Sequence, residues 1–478
     1  MEYEIVIGLE VHTELLTASK MFCGCANRFG AEPNSLACPV CLGFPGTLPV
    51  INEKAIELAL KTALALECRI NPDNLFARKN YFYPDMPKNY QISQYEEPLA
   101  VNGSLMISAG GEKKIHIRRV HLEEDVGKLI HPENESYSLV DFNRAGVPLL
   151  EIVTEPDINS PDQAFEFLNS LKTILQYLEV SDCNMEEGSL RCDANISLRP
   201  SGHPELGTKV EVKNMNSFRA VRLALKYEAE RQSNLISSPR KDDLVQETRL
   251  WNEKEGATFP MRTKEEAQDY RYFPEPDLLP LKLSDDFIQR VRCGIMELPA
   301  EKAGRFRKEY QIPAYDAGVI TASRYLADFF ETVIRLGPEP KTVSNWLMTE
   351  VLSILKEESK DIKELGLSAE SLAEVIRLVS SAKITSATGK EVLRLSLKTG
   401  KKPAEVVAEK GLSQISDTEV ITRLAGEALT ANPKSVEDYR NGKKNALAFL
   451  IGSVMRQTKG KANPKLVQEI LLNLLEKQ

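Results

Sequence analysis

Residues 190–198 read LRCDANISL, a stretch in which apolar and polar side chains alternate strictly. An extended chain places the apolar members on one face and the polar members on the other, among them Arg191, Asp193 and Asn195. Residues 209–213 repeat the pattern, with Val210 and Val212 facing inward. Strands that are buried on one face only are typical of antiparallel sheets, so we predict an antiparallel sheet with a polar working face.

Helical patterns surround these strands. Residues 52–66, 161–178 and 217–232 carry apolar residues at helical spacing, and Ser160 with Pro161 forms a typical helix start. From about residue 291 onward, helical spacing dominates. We therefore predict an α+β fold in three domains: residues 1–290 with the sheet, residues 291–405 as a helical domain and residues 406–478 as a helical tail domain.

The composition limits the classes of function. The 478 residues carry a net charge of −8, so any RNA contact must come from a local basic surface. Residues 431–478 hold nine Lys or Arg against four Asp or Glu, which suits an RNA-contacting tail and equally a solvated helix face. The chain has no run of about 18 apolar residues and no signal-peptide pattern, so we expect a cytoplasmic protein without a membrane segment.

Four of the eight cysteines are close together, as CGC at residues 23–25 and CPVC at residues 38–41. Thiolates paired through tight turns can close a tetrahedral zinc site, and clustered cysteines in a cytosolic protein are often metal ligands. Four reduced structural thiols are the alternative. We predict a structural zinc knuckle with the ligands Cys23, Cys25, Cys38 and Cys41.

Acidic residues stand at the ends of candidate strands. In GLEVH at residues 8–12, period two places Glu10 and His12 on one face, where an acid and an imidazole can hold a divalent ion. Further acids occur at 123–125, at Glu151 and at Asp193. Oxygen-rich clusters favour Mg²⁺, which phosphoryl transfer from ATP requires. The alternatives are surface carboxylates and a hydrogen-bonded sheet histidine. No P-loop is present, so the ATP-binding residues stay unassigned.

Several long stretches of the sequence are distinctive. They are GLEVH (8–12), YFYPDMPKNYQISQY (81–95), LEEDVGK (122–128), DFNRAGVPLLEIVTEPD (141–157), MEEGSLRCDAN (185–195), DYRYFPEPD (269–277), ALAFLIG (446–452) and TKGKANP (458–464). Together they resemble the B-subunit family of the tRNA-dependent amidotransferases. The resemblance covers essentially the whole chain. Motifs of this length are highly specific.

The resemblance implies a fold and a chemistry. It implies a cradle domain related in fold to glutamine synthetase, followed by helical and tail domains that grip tRNA. The cradle would activate the side chain of misacylated Glu-tRNA(Gln) or Asp-tRNA(Asn) with ATP, giving an acyl phosphate that ammonia converts to the amide. By family analogy, the Mg²⁺ and catalytic positions are Glu10, His12, Glu124, Glu151 and Asp193.

The source of ammonia points to partner subunits. The sequence contains no amidase or glutaminase signature, so ammonia must arrive from elsewhere. The resemblance implies a glutaminase A subunit and a small C subunit. A polar path for ammonia has candidates in Lys79, Tyr81, Lys88 and Tyr90. The alternative for this segment is a tight loop anchored by aromatic residues and prolines.

Two other functions compete with the amidotransferase hypothesis. A non-catalytic, zinc-stabilised tRNA adaptor would bind tRNA without nucleotide turnover, but it needs no acid cluster. A free-standing ligase resembling glutamine synthetase would act on small carboxylates, which the basic tail and the helical C-terminal half disfavour. The choice between Asp-tRNA and Glu-tRNA as substrate, and the tRNA-discriminating residues, stay open.

Overall fold

The computed structural model describes residues 3–132, 135–263, 270–412, 418–441, 443, 445–458 and 462–477. Asp269 of the 269–277 motif and residues 459–461 of the 458–464 motif lie outside the described residues. The chain divides into two compact units, Met1–Leu298 and Pro299–Gln478.

The first unit is built on a large sheet. Its described strands are β1 (Tyr3–Glu14), β2 (Arg69–Ile70), β3 (Asp73–Asn74), β4 (Ala77–Asn80), β5 (Tyr90–Ser93), β6 (Ala100–Ile107), β7 (Lys113–Glu124), β8 (Lys128–Ile130), β9 (Leu139–Asp141), β10 (Pro148–Thr154), β11 (Leu190–Pro200), β12 (Val210–Lys213), β13 (Glu247–Asn252), β14 (Ala257–Thr263), β15 (Phe273–Pro274) and β16 (Leu281–Lys282).

The order of the strands places distant segments side by side. Along the large sheet it runs β14-β13-β12-β11-β1-β10-β7-β5-β4-β15, with β6 and β2 branching from β7. The remaining strands form two small sheets, in which β16 pairs with β3 and β8 pairs with β9. The pairing is antiparallel except between β12 and β13, which run parallel. The predicted α+β architecture is therefore confirmed, with a sheet that is mixed at one pair.

One face of this sheet is covered by helices. The helices of the unit are α1 (Glu53–Ala65), α2 (Pro161–Tyr177), α3 (Phe218–Ile236) and α4 (Asp285–Cys293), with a short 3₁₀ turn at Lys241–Asp243. Asn52, Ser160 and Ser217 cap the first three through their side-chain oxygens, each worth about 1 kcal/mol. Their apolar stripes join the inward side chains of β1, β7, β10 and β11 in one core.

The opposite face of the sheet is polar. On β1, burial alternates residue by residue, so that Leu9 and Val11 lie in the core while Glu10, His12 and Glu14 project to the other side. The same alternation holds in β11, where Cys192 and Ala194 are buried and Arg191 and Asp193 are half-buried. The polar working face predicted from LRCDANISL is thus the face away from α1, α2 and α3.

The second unit is helical in its described residues. Its helices are α5 (Pro299–Glu309), α6 (Ala314–Thr321), α7 (Arg324–Arg335), α8 (Pro340–Trp346), a π-helical segment (Leu347–Val351), α9 (Leu352–Glu358), α10 (Ile362–Leu365), α11 (Ala369–Ser380), α12 (Ser386–Thr399), α13 (Pro403–Lys410), α14 (Thr418–Ala431), α15 (Pro433–Arg440), α16 (Asn445–Gln457) and α17 (Pro464–Lys477).

Two hydrophobic clusters lie in this unit. One runs from Phe306 to Val407 and the other from Ile421 to Leu475. The predicted division near residue 405 falls at the end of the first cluster and stays a prediction. Among the described helices, none has both the length and the apolar character needed to cross a bilayer.

Candidate active site and metal centres

Three side chains line up across three neighbouring strands on the polar face. His12 on β1 lies opposite Glu151 on β10, and Glu151 lies opposite His121 on β7. Nε2 of His12 and Nε2 of His121 approach Oε2 of Glu151 at 3.4 and 3.2 Å. The carboxylate of Glu151 is therefore held between two imidazoles.

A second carboxylate completes the cluster. Oε1 of Glu123 lies 3.8 Å from Nε2 of His12, and Ser93 Oγ donates a hydrogen bond of 3.2 Å to Oε2 of Glu123. Ligand atoms of His12, Glu123 and Glu151 all lie within 4.8 Å of one another. Glu123 and Glu151 are both almost fully buried, so two carboxyl groups converge with little exposed surface.

Glu124, the residue expected here by family analogy, lies elsewhere. Period two along β7 places Glu123 on the polar face and Glu124 on the other, where Glu124 pairs across to Pro148. Its carboxylate accepts hydrogen bonds from Lys88 Nζ at 2.7 Å and from the backbone N–H of Ile92 at 2.9 Å. The structure thus brings Glu123, rather than Glu124, to His12 and Glu151.

The charged groups of the cluster shift the pKa values of His12 and Glu151. Burial works to lower the pKa of His12, but the carboxylates of Glu151 and Glu123 outweigh it and raise that pKa. Burial works to raise the pKa of Glu151, but the imidazoles of His121 and His12 hold it well below its usual range. Glu151 is therefore ionised and available as a metal ligand near neutral pH.

The donor set suits a hard divalent cation. An octahedral Mg²⁺ with ligands at about 2.1 Å brings neighbouring ligand atoms to about 3 Å from one another. The separations from His12 Nε2, 3.4 Å to Glu151 and 3.8 Å to Glu123, are somewhat longer than that value. Two carboxylates and one imidazole would leave positions for water and phosphate oxygens. The His12–Glu123–Glu151 cluster could therefore hold Mg²⁺.

Glu10 and Asp193 are neighbours on the same face but not members of the cluster of three. They lie opposite each other on β1 and β11. Asn195 Nδ2 donates a hydrogen bond of 3.0 Å to Glu10, and Lys213 forms an ion pair with Asp193. Glu10 also lines a cavity of about 240 Å³, whose walls include Arg118, Pro156, Leu206 and Lys209.

A β-bulge at Arg118 brings two arginines to this face. Thr154 of β10 pairs with Ile117 and Val153 pairs with Arg119, so Arg118 is the extra residue in β7. Arg118 lines the cavity and holds Glu155 through two hydrogen bonds of 3.0 and 2.7 Å. Arg119 reaches Glu151 at 3.8 Å. Positive charge is thus available beside both the cavity and the cluster.

Several buried polar atoms on this face have no hydrogen-bond partner within the part of the chain that the structure describes. They include Nε of Arg119, Nδ1 of His121, Nε of Arg191 and Oδ1 of Asn195. A buried polar atom without a partner costs about 1–3 kcal/mol, so such atoms are uncommon in a face that serves only stability. Their concentration here is what a face built to bind a polar ligand would have.

The four predicted knuckle cysteines converge in the loops between β1 and α1. Their Sγ atoms all lie within 4.8 Å of one another, and each is a free thiol. Sγ of Cys38 and Cys41 are 3.9 Å apart, close to the roughly 3.8 Å that tetrahedral zinc requires with Zn–S bonds of about 2.3 Å. This cluster could hold a metal ion and leaves no position for a fifth ligand.

Thiolate character is favoured at one of these ligands. The hydrogen bond from the Cys23 thiol, together with the Lys20 ammonium, lowers the pKa of Cys41 to about 4 against the effect of burial. The backbone N–H of Cys38 also donates to Cys41 Sγ, at 3.1 Å. A cysteine already favouring the thiolate is prepared to bind a metal.

The four residues predicted to line a path for ammonia form two groups, Lys79 with Tyr81 and Lys88 with Tyr90. Lys79 lies near the carboxylate cluster, where Glu123 outweighs the effect of burial and raises the pKa of the lysine. The Tyr81 ring packs against Tyr270 at 6.2 Å and Tyr83 at 5.7 Å between ring centres. Lys79 Nζ lies 5.1 Å from the centre of the same Tyr270 ring, so both residues lie at the end of the sheet formed by β4 and β15.

Lys88 and Tyr90 lie with Glu124. Besides its bond to Glu124, Lys88 has its Nζ 5.8 Å from the centre of the Tyr90 ring. These three residues line a cavity of about 190 Å³ that Cys41 and Gly146 also border. The structure therefore places this pair between the knuckle and the sheet, apart from Lys79 and Tyr81.

The acids predicted at 123–125 include Glu123, but the family analogy selects Glu124, and His121 is not among the predicted residues. Glu123 and His121 both alternate with buried Val120 and Leu122 along β7, so the period-two pattern of residues 119–123 carried the signal. The bulge at Arg118 shifts that pattern by one residue, which sequence alone does not reveal.

Comparisons with known proteins agree with the resemblance of the motifs. A family model described as GatB/GatE catalytic domain matches residues 5–289, and one described as GatB domain matches residues 328–475. Three relatives are named as the B subunit of an aspartyl/glutamyl-tRNA(Asn/Gln) amidotransferase. The one from Thermodesulfovibrio yellowstonii is 54% identical over 100% of both chains. That from Thermoanaerobacter sp. (strain X514) is 53% identical over 100% of both chains. That from Brevibacillus brevis is 52% identical over 99% of this chain and 100% of its own. The chain belongs to the family of aspartyl/glutamyl-tRNA(Asn/Gln) amidotransferase B subunits.

Proposed function

We propose that this chain is the transamidating subunit of a ligase that forms carbon–nitrogen bonds with glutamine as the amide donor. Its substrates would be Glu-tRNA(Gln), Asp-tRNA(Asn) or both, with ATP. The observation that carries the proposal is the convergence of His12, Glu123 and Glu151 on an open polar face beside a cavity lined by Glu10 and Arg118.

The reaction would proceed in two steps. First, an oxygen of the substrate's side-chain carboxylate bonds to the γ-phosphorus of ATP, while the bond from that phosphorus to the β–γ bridging oxygen breaks and ADP leaves. Second, ammonia bonds to the acyl carbon of the acyl phosphate, inorganic phosphate leaves and the nitrogen loses a proton. When bound, Mg²⁺ supplies neutralisation and alignment of the phosphate oxygens.

The chain's own residues have distinct tasks in these steps. His12, Glu123 and Glu151 would hold the ion, and His121 would orient the Glu151 carboxylate at 3.2 Å. The cavity of about 240 Å³ offers apolar contacts from Leu206 and Pro156 together with the cations Arg118 and Lys209, which suits a nucleotide. ATP would then reach the ion from the side of the sheet where Glu10 and Asp193 lie.

The opposite side of the face suits the acceptor end of a tRNA. Tyr95 and Tyr272 stack with ring centres 4.1 Å apart, and Tyr270 packs edge-on against Tyr272 at 6.0 Å. Burial, together with the carboxylates of Glu123 and Glu151, raises the pKa of Tyr272 to about 12, so its phenol lies near the cluster. The unpaired terminal nucleoside of an aminoacyl-tRNA would stack on such an aromatic surface.

Ammonia would come from partner subunits, a glutaminase A subunit and a small C subunit. The Lys88–Glu124 pair and the 190 Å³ cavity beside it support a path on that side, and Lys79 with Tyr81 supports its end at the cluster. A water-restricted path keeps ammonia from being lost before it reaches the acyl phosphate. The cysteine cluster would hold structural Zn²⁺, and the helical domain and basic tail would contact the tRNA in the cytoplasm.

The test uses the chain purified with its partner subunits, with free ammonia as nitrogen donor. We expect phosphate release from ATP only when misacylated tRNA is present, together with formation of the amidated aminoacyl-tRNA. Uncharged tRNA is the matched control, because it offers the same RNA without the carboxylate. Tight binding of misacylated tRNA without phosphate release or amide would instead establish a tRNA adaptor and contradict the proposal.

A further inference from the structure

Lys20 is a lysine without exposed surface. It is 0% exposed, in the loop that leads from β1 into the cysteine cluster. A buried ammonium group is costly unless an anion and hydrogen-bond acceptors surround it. Within the part of the chain that the structure describes, Lys20 forms no ion pair with a carboxylate, so its counter-charge must be sought among other groups.

The nearest atom able to carry negative charge is a knuckle ligand. Nζ of Lys20 donates to the carbonyl oxygen of Ala145 at 2.7 Å, to that of Phe142 at 3.4 Å and to Sγ of Cys41 at 3.7 Å. Carbonyl oxygens are neutral acceptors. A metal ion at the knuckle fixes its cysteines as thiolates, and four thiolates around one Zn²⁺ carry a formal charge of about −2.

The same lysine joins the knuckle to the segment that enters β10. Gly146 stands at φ +86°, where a Cβ would lie 3.3 Å from Cys41 Cβ and 3.6 Å from Lys20 Cδ. The backbone N–H of Met21 donates to the Gly146 carbonyl at 2.8 Å. β10 begins two residues later and carries Glu151. The knuckle and residues 142–147 are therefore packed as one structure.

We propose that Lys20 is a positioning residue, which neutralises a metal–thiolate knuckle and transmits the metal-bound state of the knuckle to residues 142–147. Removal of the metal takes away the bonds that hold the four sulfur atoms together, so Cys41 Sγ is no longer fixed 3.7 Å from the ammonium. The ammonium and its hydrogen bonds to Phe142 and Ala145 then lose a fixed neighbour, and the segment before β10 loosens. The inference depends on metal binding by the cysteines and is independent of the ATP reaction.

The test compares Lys20→Met with Lys20→Arg in the full chain with its partner subunits. Lys302→Met is the matched control, because Lys302 is also buried but has Asp328 Oδ1 as its partner at 2.6 Å. We expect Lys20→Met to weaken zinc binding by about 10- to 100-fold in competition with a chelator. It should also alter the thiolate-to-metal absorption of the Co²⁺-substituted protein. Lys20→Arg should lie between the wild type and Lys20→Met, and the control should match the wild type.

Amide hydrogen exchange supplies a second measurement that needs no variant. Removing the metal from the wild-type protein should speed exchange in residues 142–147, with less change in α1. The proposal is overturned if the wild type binds neither Zn²⁺ nor Co²⁺, if Lys20→Met retains wild-type zinc affinity, or if metal removal leaves exchange in residues 142–147 unchanged. Were Lys20→Met not to fold, Lys20→Arg would decide, and the proposal is overturned if Lys20→Arg has both the zinc affinity and the metal-dependent exchange in residues 142–147 of the wild type.

Discussion

The two clusters of the N-terminal unit that could hold a metal ion are built in opposite ways. The knuckle takes its ligands from one short stretch, residues 23–41, and its four thiols fill a tetrahedral site. The His12–Glu123–Glu151 cluster takes its ligands from β1, β7 and β10, which meet only in the sheet. The knuckle is closed, whereas the carboxylate cluster leaves positions for a substrate. The first arrangement suits a structural role and the second suits catalysis.

Loss of a carboxylate from the open cluster should have the largest effect. Glu151→Gln keeps the shape of the side chain but removes the charge that lies between His12 and His121. We expect tRNA-dependent phosphate release to fall by about 1,000-fold or more, since metal ions supply several kcal/mol to the transition state. Zinc content and tRNA affinity should stay near wild-type values. A variant that keeps more than a tenth of the rate would remove Glu151 from the metal site.

The neighbouring residues Glu123 and Glu124 of β7 allow a member of the cluster to be compared with a carboxylate on the other face of the same strand. Glu123→Gln should raise the Mg²⁺ concentration needed for half-maximal phosphate release by about 10- to 100-fold, because one metal ligand is weakened. Glu124→Gln should leave the Mg²⁺ dependence unchanged, because Glu124 faces Lys88 on the other side of β7. Each variant is the control for the other. Equal shifts in both would contradict the assignment from strand register.

Glu123 and Glu124 also show which part of the site could not be predicted from the sequence. The cysteine spacing and the alternation in LRCDANISL are local signals, so the knuckle and the polar face could be predicted. The choice between Glu123 and Glu124 depends on which face of β7 each occupies, and the bulge at Arg118 shifts that face by one residue. The positions of His121 and Arg119 depend on the same register. That register is set by pairing with β10, in which His121 lies opposite Glu151, 30 residues further along the chain, and nothing in the local sequence of β7 fixes it.

Disrupting the knuckle should have a smaller effect on the rate of phosphate release than on the stability of the fold. Cys25→Ser should lower the melting temperature and abolish zinc binding. At saturating Mg²⁺ we expect the rate of phosphate release to fall by less than about tenfold, because the closed site supplies no open position for a reacting group. Cys293→Ser, at an exposed cysteine outside the cluster, is the control. Complete loss of phosphate release by a folded Cys25→Ser protein would assign the knuckle a direct role.

The smallest expected effect is on the pH dependence of the stabilisation by Mg²⁺, which depends on the His12–Glu123–Glu151 cluster and not on the knuckle. Although burial works against it, Glu151 and Glu123 raise the pKa of His12 above its ordinary value of 6.5. Because the folded pKa is higher than the unfolded one, protonated His12 stabilises the metal-free fold below about pH 6.5. That stabilisation is lost as pH rises through the folded pKa. Mg²⁺ must displace the same proton.

Adding Mg²⁺ to the metal-depleted protein should therefore raise the melting temperature by more at pH 8 than at pH 6. A difference of a few degrees corresponds to about 1 kcal/mol for a unit of this size. His12→Gln should abolish the difference, while His203→Gln, at an exposed histidine, should keep it. An equal or larger Mg²⁺ effect at pH 6 would contradict the role of His12. The knuckle cannot produce this profile, because its ligands are thiols that favour zinc over Mg²⁺, so the pH difference isolates the carboxylate cluster.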